Sequence, residues 1–408
     1  MGQMNRQAVK FIYYKWGSVA DDILIPKLKD AGYDPVIIEK KCENYTRDMV
    51  LAQEFIFKIN QTGAGFVFSY DYFPILSIVC DTCKIPYFSW VYDSPHLTLN
   101  AASAGLECNH IGVFDRALVK KYEAKGIKTI FHLPLGGSPA FFQESISSCK
   151  RDYACDISFV GSLYTDEHEY YGLLKSENPA DDSGIWDRLD ALVLNQAFDY
   201  ENDCISDVLT AGGGALTDYL YKLMEKKGLT LGGDYITDKQ DIVSDEILSK
   251  RVTVTERKEL LEKVAVFSSE NGFDFRLYTG SEPAKGSILS KGPVLNDPID
   301  YLTQMPSVFC DSRINLNITL RSIKTGIPLR AVDILCCGGF LMTDPREEFF
   351  EYLVEGEDFE VYRSVDECLE KVKFYLSHEE LRKKIAKNGR AKAEKAFNLG
   401  RLTDILPK

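Results

Sequence analysis

The amino-acid sequence predicts an α/β fold built from two parallel, doubly wound sheets, and three observations carry that prediction. Its 408 residues exceed what a single hydrophobic core normally supports, so two domains are expected. Between residues 9 and 140, short β-branched and aromatic runs alternate with helical stretches, as parallel strands do when crossover helices join them. The alternation returns after residue 155, interrupted by a long acidic segment of helical character.

The elements follow in order. Residues 9–14 read as the first strand, and the helix over 20–29 stops at Ala31-Gly32. A strand at 35–39, a helix at 47–60, a strand at 65–70 and a helix at 75–82 come next. Strands at 86–92, 111–114 and 129–133 complete the first half. The second half opens with a strand at 155–161, where DISFVG ends in glycine. From 166 to 267 the chain is helical and acidic, with no strand of any length. Gly212-Gly213-Gly214 lies inside that stretch; no strand precedes it and no Lys-Ser/Thr follows, so it reads as a loop between helices rather than a phosphate loop. Strands resume at 273–279, 314–318, 339–343 and 359–362, and a Lys-rich helix covers about 379–397. The expected division is an N-terminal domain at 1–150 and a C-terminal domain at 151–390 with a helical insertion at about 166–267. A terminal helix, 391–408, packs back on the first domain.

Composition excludes several classes. The net charge of −13 leaves no basic face for nucleic acid, and it obliges local Lys, Arg or helix N-termini to hold any anionic ligand. Apolar stretches such as 66–69 and 334–337 are far too short to span a bilayer, so no stable membrane insertion is expected. The first seventeen residues lack the apolar run of a signal peptide, and Arg6 stands where a myristoylation signal wants Ser or Thr, so a cytoplasmic protein is expected. The eleven cysteines are odd in number and scattered, which fits reduced thiols. Cys80 and Cys83 form one C-x-x-C, but no second well-spaced pair completes a zinc site, so no metal is expected.

The chemistry concentrates in NLNITLRSIKTGIPLRAVDILCCGGFLMTD, residues 315–344. An apolar strand ends near Thr319, a cationic loop carries Arg321 and Lys324, and Pro328 suits the first turn of a helix. Gly338-Gly339 stops that helix before the next strand. Arg330 and Asp333, three apart, share one helix face beside free N–H groups and the positive dipole end. A diphosphate at the helix start with ribose hydroxyls deeper along it fits this order. So does an ordinary surface ion pair between the two. Gly161 and Ser162, just after a strand, allow backbone approach to phosphates, and Thr279 and Gly280 offer the same near a base or ribose. Asn317, near the end of the 314–318 strand, is placed with this donor-binding group.

In the first half, SWVYDSPH at 89–96 begins as a strand and breaks at Pro95, so Asp93 and His96 sit just past a strand's carboxyl end. Either could accept a proton from a hydroxyl; Asp93 could equally cap the turn through an Asx bond. Asp71 is a secondary candidate, and Tyr70, Tyr72 and Phe73 form either a sugar platform or core.

The stretch from Ile314 to Asp344, with the text after it through Arg390, resembles the C-terminal domain of the CgeB-like, spore-maturation-type glycosyltransferases. DISFVGS at 156–162 and WVYDSPH at 90–96 resemble blocks of its longer members. The resemblance implies a GT-B fold: two Rossmann-like domains facing across a cleft, the donor nucleotide on the C-terminal one. It implies transfer of a hexose or N-acetylhexosamine from a nucleoside-diphosphate sugar, a UDP-sugar above others, to a hydroxyl of a protein or glycan. No cofactor or metal is implied; Arg330, with Lys324 and Arg321, would stabilise the leaving diphosphate, and Asp333 stands where the family's ribose-binding acid lies. An acid usually found eight positions earlier is Thr325 here. A sugar-nucleotide epimerase of the same architecture and a non-catalytic nucleotide-sugar-binding protein are the alternatives.

Overall fold

A computed structural model describes residues 8–165, 169–178, 184–229, 238–291 and 294–408. Within it lie two six-stranded sheets, ordered β2-β1-β3-β4-β5-β6 and β12-β11-β10-β7-β8-β9, in which every recorded strand pair is parallel. The first comprises β1 (Val9–Lys15), β2 (Tyr33–Glu39), β3 (Val67–Tyr70), β4 (Tyr87–Val91), β5 (Asn109–Val113) and β6 (Ile130–His132). The second comprises β7 (Cys155–Val160), β8 (Phe275–Tyr278), β9 (Leu295–Asn296), β10 (Ser312–Asn317), β11 (Leu341–Thr343) and β12 (Glu360–Val361).

The inner strands β3 and β4 are buried throughout, because helices cover both faces of a parallel sheet, whereas edge strand β2 keeps Asp34, Ile37 and Glu39 exposed. Phe11, Ile12, Tyr13 and Tyr14 are all fully buried along β1. Aromatic packing adds shape, with Phe11 and Phe66 stacked at 4.7 Å between centroids. Helix ends follow local chemistry. Asp48 caps helix Met49–Thr62 by accepting from the Leu51 N–H, and Gly63 closes it in the left-handed region.

The chain divides into two units. Among the described residues the first runs to Gly136 and resumes over Asn398–Lys408, and the second holds those of Gly137–Phe397. The break thus falls earlier than residue 150, because helix Pro139–Ser148 packs with helices Met305–Asp311 and Leu329–Cys337 of the second unit. The last helix, Glu379–Ala396, also belongs to the second unit, and only the eleven residues after Phe397 return to the first, where the Tyr33 hydroxyl donates to the Leu406 carbonyl.

The helical insertion is shorter than 166–267. Leu260, Leu261, Val264 and Ala265 of helix Lys250–Asn271 sit in the same core as Ile157, Phe159 and Leu277, so this helix is the crossover between β7 and β8. Before it, the described elements are helices, and Gly212–Gly214 links Cys204–Ala211 to Ala215–Lys226 as a turn. In helix Leu329–Cys337, Pro328 is the residue before the first turn (φ −69°, ψ 151°) rather than within it. Gly338 ends that helix at φ +79°, and a Cβ on Gly339 would lie 2.6 Å from the Phe309 carbonyl oxygen, so glycine is required at both. No helix among the described residues is long and apolar enough to cross a membrane.

Candidate functional site

In the second sheet the chain passes from β7 to β8 and β9 on one side, then returns as β10 on the other. Loops leaving β7 and β10 therefore diverge, which opens a crevice beyond their carboxyl ends. Two arginines converge there. Arg257, from helix Lys250–Asn271, donates through Nη1 to the Ser162 carbonyl and through Nη2 to the Ile318 carbonyl at 2.6 Å, so it bridges both loops. Arg330, one residue into helix Leu329–Cys337, donates Nη1 to the Val160 carbonyl at 2.6 Å. Arg257 lies over the Tyr164 ring at 4.7 Å and Arg330 over Phe309 at 5.7 Å. Each guanidinium keeps a buried Nε–H with no hydrogen-bond partner among the described residues. Burial lowers the Arg330 pKa and the Arg257 charge lowers it further, against the pull of Asp333. Two like charges held together with donors to spare form an anion site.

Asp333 is only 1% exposed, and the Tyr301 hydroxyl donates to it at 3.0 Å. Burial pushes its carboxyl up to about 7, while Arg330 pulls the other way. No ion pair within 4 Å joins Arg330 to Asp333, and Asp333 is not on the surface, so the reading as an exposed surface pair does not hold.

Several other expected donor-binding side chains are already engaged. The Arg321 guanidinium grips both oxygens of Glu256 and donates to the carbonyls of Asp199 (2.9 Å) and Gln196 (3.2 Å), stacked 4.2 Å from the Tyr200 ring. It ties the helical insertion to the β10 loop. Lys324 is paired with Asp203 at 2.9 Å. The Asn317 amide donates to Thr319 and Thr343, fastening β10 to β11. The Gly161 N–H donates to the Tyr278 carbonyl, so that amide is spent in the sheet. Ser162 and Ser281 hydroxyls meet at 3.0 Å, and Thr279 accepts from the Ser281 N–H, so 162–164 and 279–281, Gly280 included, form one wall. A groove of about 940 Å³ beyond Thr165, lined by Leu194, Val266, Lys258 and Glu259 among others, includes none of Arg257, Arg330 or Asp333.

In the first sheet the order reverses between β1 and β3. Asp71 follows β3 at φ +56°, a left-handed backbone rare for aspartate outside turns. Its buried Oδ1 accepts the N–H groups of Tyr92 (3.1 Å) and Asp93 (3.4 Å), fixing the bend after β4. Burial nonetheless lifts the Asp71 carboxyl to about 7. Asp93 keeps a solvent-exposed edge, and its carboxyl lies within electrostatic reach of that of Asp71. Crowding by the surrounding protein, then the Asp71 charge, raise it to about 7, with His96 opposing. Two neighbouring carboxyls favour holding one proton between them.

His96 packs against the backbone: its Nε2 lies 3.0 Å from the Tyr72 N–H and 3.3 Å from the Tyr72 carbonyl oxygen, and its Nδ1 lies 3.7 Å from Asp71. Both nitrogens face the protein, and burial lowers the ring's pKa, keeping it neutral. Tyr70, Tyr72 and Phe73 are core, none more than 5% exposed.

Sequence reasoning overlooked Arg257, because the acidic stretch around it reads as insertion rather than as a sheet-covering helix. Tyr301 was also missed, and no local pattern marks it.

Residues 255–406 match the family described as glycosyl transferase-like. No protein of curated function shows significant sequence similarity to the chain. Among solved structures, a glycosyltransferase of Rickettsia africae superposes with a TM-score of 0.52 at 9% identity, covering 98% of this chain and 97% of that one. Sucrose-phosphate synthase of Thermosynechococcus elongatus superposes at 0.53 and 9% identity, covering 98% of each. A Listeria monocytogenes protein assigned as a candidate UDP-N-acetylglucosamine 2-epimerase superposes at 0.51 and 8% identity, covering 97% and 94%. A glycosyl transferase-like segment over residues 255–406 thus sits in a two-sheet α/β fold shared with GT-B structures.

Proposed function

We propose that the protein transfers a hexose or N-acetylhexosamine from a nucleoside-diphosphate sugar, a UDP-sugar above others, to an acceptor hydroxyl. The observation that carries this reading is the pair of partly unsatisfied guanidiniums, Arg257 and Arg330, at the strand-order reversal of the second sheet. A diphosphate supplies the charge and the acceptor oxygens such a pair lacks. In bond cleavage negative charge grows on the leaving diphosphate, and fixed donors that need no reorganisation stabilise it most. Asp333, held by Tyr301, then accepts from the ribose hydroxyls.

On the acceptor side Asp93 is the proton acceptor, with a carboxyl near neutrality and an exposed edge; Asp71 and His96 position it. The acceptor O–H gives its proton to Asp93 and its oxygen bonds the anomeric carbon. The anomeric C–O bond breaks, and its electron pair leaves on the diphosphate. No resident metal is assigned a role, because the arginines carry the charge; turnover that persists in EDTA tests this.

Calorimetric titration with UDP, GDP, TDP and CMP is the direct experiment. Tightest binding by UDP, lost in Arg330→Ala, is expected; no binding of any nucleotide would overturn the reading. An epimerase is the second reading, favoured by the shared fold of the Listeria protein. Conversion of a UDP-sugar without any acceptor, unaffected by Asp93→Asn, would establish it instead.

A further inference from the structure

Beside Asp93 the first unit carries an aromatic pair at the edge of its core that the donor reading does not use. Trp16 follows β1 directly and Tyr92 follows β4 directly. Their rings are parallel within 10° at a centroid separation of 6.3 Å, an offset stack in which the rings overlap only in part. Both are half-buried. The Trp16 Nε1–H donates to the Tyr70 carbonyl at 2.8 Å, and Phe73 (5.9 Å) and Tyr70 (5.6 Å from Tyr92) back the pair from the core. The shelf is therefore preorganised and loses little freedom on binding.

The charges acting on Tyr92 are acidic, from Asp71, Asp93 and Asp21, and the nearby Lys15 is tied to Asp22 and Glu39. An anionic acceptor would be repelled. A pyranose would not: its axial C–H bonds, made slightly positive by neighbouring oxygens, suit the negative face of an aromatic ring. Its equatorial hydroxyls project outward at the rim, where a carboxylate can accept. Asp93 is the residue next to Tyr92.

We infer that Trp16 and Tyr92 form the binding shelf for a neutral pyranose of a glycan acceptor, so that the acceptor is a sugar rather than a protein hydroxyl. This rests on the transferase reading for its chemistry, but the binding itself can be measured without donor.

The experiment exploits a property of the sequence. Of the three tryptophans, Trp90 is 1% and Trp186 5% exposed, so Trp16 dominates any solvent-sensitive fluorescence. The full-length protein is titrated, without nucleotide, with methyl glucopyranosides, methyl N-acetylglucosaminide, a short β-linked oligosaccharide and a Ser/Thr-rich peptide. Saturable quenching or a blue shift with a sugar, and none with the peptide, is expected. Variants are titrated by calorimetry, which does not need the Trp16 fluorophore: Trp16→Phe keeps a flat face and should stay within a few-fold of the parent, while Trp16→Ala and Tyr92→Ala should weaken sugar binding and raise the acceptor KM roughly tenfold. UDP affinity, measured in parallel, should not change in these variants. It also separates the two ideas: loss of UDP binding in the parent protein would refute the transferase reading, not the shelf. Sugars that bind Trp16→Ala as tightly as the parent, no sugar binding at all, or transfer to the peptide alone would each overturn the inference.

Discussion

Replacing Arg330 by methionine separates a binding role from a structural one. The side chain makes one short hydrogen bond, to the Val160 carbonyl, yet burial lowers its pKa despite the opposing pull of Asp333. A lowered arginine pKa means that the folded protein, without ligand, disfavours the charge. Methionine fills similar volume, returns the desolvation cost, and forfeits one charge-assisted hydrogen bond of about 1.5–3 kcal/mol. The near-cancellation predicts a change in unfolding free energy within about 1 kcal/mol, against a typical total of about 5–15 kcal/mol. Nucleotide binding has no such compensation. Losing one ionic contact to the diphosphate, again about 1.5–3 kcal/mol, should weaken UDP by about 10- to 150-fold. Urea unfolding supplies the first number and calorimetry the second. A variant destabilised by more than about 2 kcal/mol that still bound UDP within threefold of the parent would refute the reasoning, because Arg330 would then be scaffold.

Other outcomes follow from the same geometry. Arg321→Ala leaves Glu256 buried without its partner, so a loss of about 3–5 kcal/mol is expected in denaturant titration, in contrast to Arg330→Met. Asp93→Asn should cut transfer at least about 100-fold, whereas His96→Gln should cost well under that, since neither ring nitrogen is available to a substrate. Because Asp93 must be ionised to accept a proton, kcat/KM should rise with pH through about 7, and Asp71→Asn, which removes the neighbouring charge, should move that limb to lower pH; an unmoved limb would rule out the carboxyl pair. The sign for stability is opposite. Asp71 and Asp333 titrate near 7 when folded and near 4 when unfolded, so the folded state holds extra protons between those values. Stability should therefore fall as pH rises from about 4 to 7, and Asp71→Asn should flatten that fall in thermal melts.

Much of the architecture was legible in the residues. Parallel strands must be apolar on both faces, so the runs at β1, β3, β4, β7 and β10 stood out without any context. The stop at Gly338-Gly339 was readable because a left-handed residue and a close backbone approach each demand glycine. The prediction of a carboxylate one helical turn beyond Arg330 was equally local, since i and i+3 share a face whatever surrounds them.

What each charged side chain does was not local. Arg321 and Arg330 look alike in sequence, but one meets Glu256 and the other a lone strand-end carbonyl, a difference set by partners 65 and 170 residues away. Arg257 lay in a stretch whose composition suggested an insertion, and only its packing over β7 and β8 brings its guanidinium to the Ser162 and Ile318 carbonyls. His96 comes to rest against the Tyr72 backbone and Asp71, partners that its sequence neighbours do not announce. By itself the sequence determined the periodicities, the stops and the set of ionisable groups, because these depend on neighbours within a few residues. The tertiary structure alone decided which of those groups are spent on the protein and which are left for a ligand, because that depends on where distant carbonyls, amides and carboxylates come to rest.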